Sequence, residues 1–306
     1  MNRPLLLIHH ATNRGASHPP NSIFGLKTCL EAGARVVEVD ISPLADGDFV
    51  LLHDRLLDGC TNGSGLVGAH TSDEVSGLCL VWRGGVTSEP VGLLSQAVDL
   101  VSRHPNPVEL QLDLKPYTHL DRETGSRLVD LLRPVKNLVR VTSEADWTLR
   151  SLHALDGDLP LGFDPWLYLG MIAHQEEVEF PEPPFRQGAY EYWDDHPLAS
   201  VRWGGTADYL AARAEALWAQ SPPGAVWYIH AKLLARVLDD GFDWIADLHE
   251  RGAQVTAWTL NADRPPDVEL AWRLAMAGVD RITTDDAPAL ARALSEHAKG
   301  TINVAY

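Results

Sequence analysis

The sequence predicts an α/β fold, a single (β/α)8 TIM barrel, and two observations lead to this prediction. Short apolar segments typical of buried parallel strands alternate with helix-length segments along most of the 306 residues. Many of these strands also end in polar residues, as expected where a barrel carries its active site. An open doubly wound sheet is the alternative, but no Gly-x-Gly-x-x-Gly follows the first strand. We therefore expect residues 1–306 to form one domain.

Taken in order, the predicted strands are short segments, most of them apolar or rich in β-branched residues, that alternate with helix-like segments. They are Leu5–His10, Arg35–Ile41, Val108–Leu114, Leu138–Thr142, Leu159–Phe163, Val226–Ile229, Val255–Thr259 and Arg281–Thr284. After the second strand, Asp46-Gly47 is a turn signal that precedes a short extra strand, Phe49–His53. This predicts a hairpin-like insertion at that point.

The predicted helices fall between or after the strands. They are Asn21–Gly33, Gly92–Arg103, Glu123–Leu132, Ala145–Leu155, Tyr209–Ala219, Phe242–Arg251, Val268–Ala277 and Ala287–Ala298. The first of them ends at Gly33, the residue type favoured just beyond a helix C-terminus.

The segment from Asp164 to Thr206 interrupts this alternation. It contains three prolines close together, a run of glutamates and several aromatic residues. A loop of this length in a compact domain is usually functional or disordered. Because it follows strand five, we expect it on the active face of the barrel, either as an irregular covering excursion or as a lid or lipid-facing surface.

The charge balance excludes some classes of partner. With 25 basic and 42 acidic residues the net charge is −17, which argues against nucleic acid or an anionic membrane surface. No run approaches the roughly 20 apolar residues of a transmembrane helix. The apolar stretch Leu5–Ile8 is too short for a signal peptide core, and the 3 cysteines match no zinc spacing. We expect a cytoplasmic protein.

The second strand carries the first sign of chemistry. Alternation along it places Glu38 and Asp40 on one face and Val37, Val39 and Ile41 on the other. Two neighbouring carboxylates repel each other and cost desolvation energy, so a hard divalent cation is a natural partner. The sequence therefore indicates a metal site.

A candidate proton-transfer group follows shortly after that strand. His53 is followed directly by Asp54, and a histidine with a carboxylate neighbour is suited to general acid–base catalysis. Together with the metal site, it indicates a metal-assisted phosphodiesterase.

The order of these motifs resembles the glycerophosphodiester phosphodiesterase family. That family has E-x-D, then H-D, then T-N-G-[ST]-G, and the chain has Glu38-x-Asp40, His53-Asp54 and T-N-G-S-G at 61–65. Further similarities are R-G-A-S at 14–17 with P-N at 20–21, A-W-T-L-N at 257–261, and G-V-D-x-x-T-T-D at 278–285. The resemblance spans nearly the whole chain and is weakest between about 164 and 225.

One position departs from the family pattern. The family's first catalytic histidine directly precedes the arginine, where this chain has Asn13 before Arg14. A one-residue insertion would place His10 at the catalytic position. His9 is the alternative, because adjacent strand residues face opposite sides. The glutamate of the family's P-E-N element is also missing, since Pro20 stands there.

The resemblance assigns roles to further residues. Asp113 and Lys115 occupy the family's E-x-K, so Asp113 joins Glu38 and Asp40 as a ligand of Mg²⁺ or Ca²⁺. Arg14 is expected to bind the phosphate, and Lys115 is expected to pair with the phosphate or with the carboxylates. Trp258 is either a wall of the substrate pocket or part of the core.

The function implied is metal-dependent hydrolysis of glycerophosphodiesters to glycerol 3-phosphate and an alcohol. His10 and His53 act as general base and general acid. Two alternatives stay open: phospholipase D-like cleavage of a lysophospholipid or sphingolipid on the same barrel, and a catalytically silent phosphodiester-binding protein. In each case the partner is a small-molecule or lysolipid phosphodiester.

Overall fold

Eight parallel strands form a closed barrel. The computed structural model describes residues 4–115, 120–171, 185–187, 190–192, 205–297 and 302–306. The barrel strands are β1 (Leu5–His9), β2 (Val36–Pro43), β3 (Glu109–Leu114), β4 (Val139–Ser143), β5 (Leu161–Phe163), β6 (Val226–His230), β7 (Val255–Trp258) and β8 (Arg281–Thr284). Because β1 pairs with both β2 and β8, the sheet closes on itself. The predicted TIM barrel is confirmed.

Helices pack around the outside of this barrel. They are Ile23–Glu31, Leu94–Arg103, Arg122–Leu132, Asp146–Leu155, Thr206–Gln220, Ala231–Asp239, Trp244–Glu250, Pro265–Met276 and Ala287–His297. Side-chain caps set several of the starts: Ser22 Oγ accepts from the Gly25 amide at 3.0 Å, and Asp121 Oδ1 accepts from the Thr124 amide at 2.7 Å. The helix Ala231–Asp239 was not predicted, and it begins directly after β6.

The interior of the barrel is apolar in its middle and polar at its carboxyl end. Ile8, Val36, Val226 and Tyr228 form a buried cluster inside the barrel. Side chains two residues further along a strand lie above this cluster on the same interior face. Glu38 follows Val36 in this way. The alternation of a single strand therefore supplies both the barrel core and the floor of the site.

The amino end of the barrel is closed by an ionic cluster. Glu109 of β3 accepts hydrogen bonds from Arg140 Nε of β4 at 3.1 Å and from Arg281 Nη1 of β8 at 2.6 Å. Burial acts to raise the pKa of Glu109, but the two guanidinium groups outweigh it and hold that pKa below its ordinary value.

A small subdomain lies between β2 and β3. Phe49–Val50 pairs antiparallel with the end of β2, and Cys79–Trp82 pairs with Gly85–Pro90 as a hairpin. The extra strand is thus observed at Phe49–Val50, which is shorter than the predicted Phe49–His53. Arg83 Nη2 donates to the Ala16 carbonyl at 2.9 Å, which ties this hairpin to the loop after β1.

Most of the predicted excursion after β5, including its role as a lid, lies outside the described residues. Its described backbone segments, Leu169–Met171, Phe185–Gln187 and Tyr190–Tyr192, form a three-stranded antiparallel sheet. Among the described residues, no helix combines the length and the apolar character needed to cross a membrane.

Candidate active site

A cavity of about 280 Å³ opens at the carboxyl ends of the barrel strands. All of the predicted site residues except Arg14 line it, namely His10, Glu38, Asp40, His53, Asp113, Lys115 and Trp258. This is the end at which TIM-barrel enzymes carry their active sites.

Three carboxylates meet on one side of the cavity. The register of β2 against β3 places Asp40 beside Asp113, and Glu38 stands two residues before Asp40 on the same face. One oxygen of each lies within 4.8 Å of the others. Glu38 and Asp40 are 3% and 4% exposed, so this side of the cavity is shielded from water.

The electrostatics of this cluster fit a bound cation. Burial and the charge of Asp40 raise the pKa of Glu38 to about 8. Burial and the charge of Asp113 likewise raise the pKa of Asp40. The ionised carboxylates are therefore costly without a compensating charge, and three oxygen donors are the set that suits Mg²⁺ or Ca²⁺. Lys115 Nζ supplies part of that charge, 2.8 Å from Asp113 and 3.9 Å from Asp40.

Hydrogen bonds orient two of these carboxylates. The Ala11 amide donates to Glu38 Oε2 at 2.7 Å. Asn21 contacts Asp40 twice, since its Nδ2 donates to Oδ2 at 2.8 Å and its Oδ1 accepts from the Asp40 amide at 2.9 Å. Asn21 has a φ of +58°, a left-handed conformation that asparagine adopts more readily than most residues.

His10 belongs to a hydrogen-bonded network at the edge of the cavity. Its Nδ1 lies 2.8 Å from Asp285 Oδ1, and Asp285 also accepts from Asn261 Nδ2 at 2.7 Å and Asn13 Nδ2 at 3.3 Å. Burial acts to lower the pKa of His10. The Asp285 hydrogen bond and the negative charge of Glu38 outweigh burial and raise that pKa to about 9.

His9 has a different environment. Its side chain is 2% exposed, and burial and the charge of Arg14 lower its pKa to about 4. His9 is not among the residues that line the cavity, whereas His10 is.

His53 is the more exposed of the two candidate catalytic histidines. Its Nδ1 lies 2.9 Å from Asp54 Oδ1, and its side chain is 62% exposed. His10, Asp40 and His53 also line a second, adjoining cavity of about 320 Å³. Each of the two histidines therefore has a carboxylate on Nδ1, which leaves Nε2 for proton transfer.

Arg14 is not brought together with the other predicted residues. It lines a separate cavity of about 360 Å³ with His18, Asp286 and Arg292. The loop that carries it is turned by left-handed residues, among them Arg14 itself with a φ of +45°. Its contact with the substrate phosphate stays a prediction.

Trp258 lies between the cavity and the aromatic side chains behind it, and its role as a wall of the substrate pocket stays a prediction. It lines the cavity and also packs edge-to-face against His230 and Trp166, with ring centroids 4.8 and 5.7 Å away. Burial lowers the pKa of His230 to about 4, so this imidazole packs against Trp258 in its neutral form.

Sequence reasoning missed three acidic residues of the site. Asp285 lies within the family-like C-terminal motif but was given no role. Glu144 and Asp164 line the cavity and directly follow β4 and β5. Each stands two residues beyond an interior-facing position, Thr142 or Gly162, so strand alternation was a signal that could have found them.

Comparison with known proteins shows the family to which the chain belongs. A model of the glycerophosphoryl diester phosphodiesterase family matches residues 14–160. Glycerophosphodiester phosphodiesterase 1 of Mus musculus is 34% identical over 260 residues, which cover 81% of this chain and 70% of the mouse protein. A glycerophosphodiester phosphodiesterase of Caldanaerobacter subterraneus is 33% identical over 76 residues, which cover 25% of this chain and only 30% of that relative.

Solved structures share the fold at lower identity. An Oleispira antarctica phosphodiesterase, in complex with the product sn-glycerol-3-phosphate, superposes with a TM-score of 0.66 at 22% identity, covering 96% of this chain and 97% of that one. A glycerophosphodiester phosphodiesterase from Parabacteroides distasonis gives a TM-score of 0.66 at 20% identity, covering 97% and 100%. These likenesses extend over the whole barrel.

Proposed function

The chain belongs to the glycerophosphoryl diester phosphodiesterase family, and on this premise we propose that it hydrolyses glycerophosphodiesters to glycerol 3-phosphate and an alcohol. One observation carries the proposal: three carboxylates, Lys115 and two histidines, each with a carboxylate on its Nδ1, converge on one cavity. Such a set supplies charge stabilisation and two proton-transfer groups, which are what phosphodiester cleavage requires.

A divalent cation, Mg²⁺ or Ca²⁺, is part of the proposal. Glu38, Asp40 and Asp113 would hold it through oxygen ligands. The closeness of the three carboxylates and the raised pKa values of Glu38 and Asp40 support this assignment. When bound, such a cation supplies positive charge to the non-bridging phosphate oxygens.

Lys115 has two roles in the proposed site. Its ammonium group lies between Asp113 and Asp40, which anchors the side chain at the edge of the carboxylate cluster. From there it can donate to a phosphate oxygen that gains negative charge in the transition state. Arg14 would add a second such contact only if its loop rearranged.

The two histidines divide the proton transfers. A cation on Glu38 and Asp40 would offset the negative charges that help to raise the pKa of His10, and this would favour its neutral form. His10 Nε2 then takes the proton from the attacking oxygen as that oxygen bonds to phosphorus, and Asp285 stabilises the imidazolium that forms. His53 Nε2 donates a proton to the departing alcohol oxygen as its bond to phosphorus breaks. Asp54 restrains the His53 ring during this step. The attacking oxygen is either water or a neighbouring glycerol hydroxyl.

The catalytically silent alternative loses its support. It rested on Asn13, which stands where the family has its histidine. In this chain His10 lines the cavity, and Asn13 donates to the same carboxylate that contacts His10. The position therefore contributes to the site without being a proton-transfer group.

A direct assay tests the proposal. Purified protein with Mg²⁺ or Ca²⁺ should release glycerol 3-phosphate from glycerophosphocholine or glycerophosphoethanolamine, and EDTA should abolish the release. A folded, metal-supplemented sample that cleaves no soluble diester but cleaves lysophospholipids would replace this proposal with the phospholipase D-like alternative.

A further inference from the structure

A separate cavity lies between the loop after β1 and the last helix, Ala287–His297. It has a volume of about 360 Å³, and it is called the Arg14–Arg292 cavity below. Its lining residues come from the loop and from the start of the helix: Arg14, Ser17, His18, Asp286, Pro288 and Arg292. None of these residues lines the active-site cavity, so the proposed mechanism does not use them.

The two arginines of this cavity have no described partner. Among the described residues, neither the Arg14 nor the Arg292 side chain has a hydrogen bond or an ion pair. In a chain with 42 acidic and 25 basic residues, carboxylates are plentiful. Many guanidinium groups of this chain do pair with one, as Arg251 does with Glu215. Two unpaired guanidinium groups on one cavity therefore leave it with uncompensated positive charge.

The one carboxylate of the cavity compensates only part of this charge. Asp286 Oδ1 accepts a hydrogen bond from the Ala289 amide at 3.0 Å, and Asp286 forms no ion pair with Arg14 or Arg292. Burial and the charge of Arg14 lower the pKa of the neighbouring His9 to about 4, and the opposing effect of Asp286 is smaller. The Arg14 charge is therefore not cancelled by its surroundings.

The backbone of the loop keeps Arg14 at this cavity. Arg14 and Ala16 have φ values of +45° and +59°, a left-handed conformation that costs energy in residues other than glycine. The Gly15 amide donates to the Asp285 carbonyl at 2.7 Å, and Arg83 Nη2 donates to the Ala16 carbonyl at 2.9 Å. Backbone strain that surrounding contacts maintain in this way is concentrated at functional and ligand-binding sites.

The donors of the cavity suit a phosphate group. A guanidinium group presents a planar fork of N–H donors that matches phosphate oxygens, and two such groups can bind one dianion. His18 supplies a further ring N–H, and its ring is held edge-to-face against Phe24 with centroids 4.9 Å apart. A volume of about 360 Å³ lies in the range of small-molecule sites, so a phosphate on a small organic group also fits.

We propose that Arg14, His18 and Arg292 form a phosphate-binding site outside the catalytic cavity. Its ligand is a phosphate dianion, either inorganic phosphate or a small monoester such as glycerol 3-phosphate. The inference goes beyond the proposed function and does not depend on it. A bound phosphate would tie the loop after β1 to the last helix, and the same loop contacts Asp285 through Asn13.

A titration of the full chain tests the inference without measuring turnover. Wild-type protein is titrated at constant ionic strength with inorganic phosphate and, separately, with glycerol 3-phosphate, and binding is followed by phosphorus NMR linewidth. Each titration is run with Mg²⁺ and with excess EDTA, because EDTA removes any phosphate binding that needs a cation in the catalytic cavity. We expect saturable binding that persists in EDTA, with a Kd on the order of 1 mM for a few charge-assisted contacts.

Arginine substitutions then locate the binding. Arg292→Gln should weaken it by about 10-fold, the loss expected when one charge-assisted bidentate contact is removed. Arg292→Lys keeps the charge without the planar fork and should give an intermediate affinity. Arg122→Gln is the matched control, since Arg122 is an exposed arginine that begins another helix and has no described side-chain partner. Because Arg292 is itself exposed, melting temperatures should match the wild type in every variant.

The outcomes are independent of hydrolysis. Weaker binding in Arg292→Gln, with wild-type affinity in Arg122→Gln, supports the site, and the tighter of the two ligands identifies its occupant. Equal affinity in all variants, or no saturable binding in EDTA, overturns the inference even if the chain hydrolyses diesters. Hydrolysis by the wild type, measured in parallel, decides the proposed function alone.

Discussion

Nδ1 of His10 lies 2.8 Å from Oδ1 of Asp285, and this contact joins the ends of the first and last barrel strands. The Gly15 amide adds a second link, since it donates to the Asp285 carbonyl at 2.7 Å. The proposed general base is thus oriented by the closure of the barrel itself. Asn261, which follows β7, holds Asp285 twice: its Nδ2 donates to the carboxylate at 2.7 Å, and its Oδ1 accepts from the Asp285 amide at 2.9 Å.

Asp285→Asn should impair turnover more than binding. The amide keeps the shape of the carboxylate but removes the charge that stabilises the His10 imidazolium. We expect kcat to fall by on the order of 10²-fold with KM changed far less, because the interaction strengthens only as the proton moves. Steady-state kinetics on a soluble diester measure this. The exposed neighbour Asp263→Asn is the control, and an unchanged kcat in Asp285→Asn would remove Asp285 from the mechanism.

His53→Ala should remove activity without loss of stability. The side chain is 62% exposed and its one described hydrogen bond is to the adjacent Asp54, so the free energy of unfolding should change by about 0.5 kcal/mol or less. Loss of the general acid should lower kcat by about 10²–10⁴-fold. A diester with a more acidic leaving alcohol should recover part of the loss. No such recovery would argue that His53 serves another step.

Metal affinity should rise with pH up to about 8. In the metal-free protein, burial and Asp40 raise the pKa of Glu38 from 4.5 to about 8, so binding below that pH must displace a proton. The apparent Kd for Ca²⁺ should fall by about 10-fold per pH unit between pH 6 and 8, if one proton is displaced, and then level off. Calorimetry in two buffers of different ionisation enthalpy counts the proton. A Kd independent of pH over this range would contradict the assignment.

The raised pKa of Glu38 also makes the stability of the metal-free protein depend on pH. A carboxyl whose pKa is raised by folding stabilises the protein fully below its unfolded-state pKa, and this contribution is lost as pH rises through the folded value. The metal-free melting temperature should therefore fall between about pH 4.5 and 8, and Ca²⁺ should restore it. Glu38→Gln should flatten the metal-free profile, which makes it the matched control for thermal scans with and without EDTA.

Asn21→Ala should destabilise the fold and weaken the metal site. It removes both contacts with Asp40 and forces a left-handed φ on alanine, at a cost of about 2–4 kcal/mol in the free energy of unfolding. Asn21→Gly removes the same contacts but tolerates the backbone, so it should be about 1 kcal/mol more stable than Asn21→Ala. Denaturant unfolding measures both. Equal stability of the two variants would mean that the loop relaxes.

Strand positions were the most predictable part of the fold. β8 was predicted at Arg281–Thr284 and is observed there, and three of its four residues are β-branched, a type that favours strands. The helix Ala231–Asp239 was missed because β6 passes into it with no turn residue between them. Only tertiary packing separates a strand from a helix at such a junction.

The site was predictable where its residues are local in sequence. Glu38 and Asp40 follow from alternation within one strand. The His10–Asp285 contact joins residues 275 positions apart, and no periodicity predicts which loop ends meet where a barrel closes. Arg14 was assigned by its place in a motif, but the left-handed residues around it turn its side chain towards another cavity. Loop conformation of that kind has no signature in a hydrophobic pattern.

The ionic cluster at the amino end of the barrel bears on how the chain unfolds. Glu109 and Arg140 belong to the first four strands, whereas Arg281 belongs to the eighth. A fragment ending after β4 would leave the Glu109 carboxylate with one of its two arginines and β1 without β8. Half a barrel can form neither the Glu109–Arg281 ion pair nor the β1–β8 pairing. We therefore infer that the two halves unfold together, in a single cooperative transition.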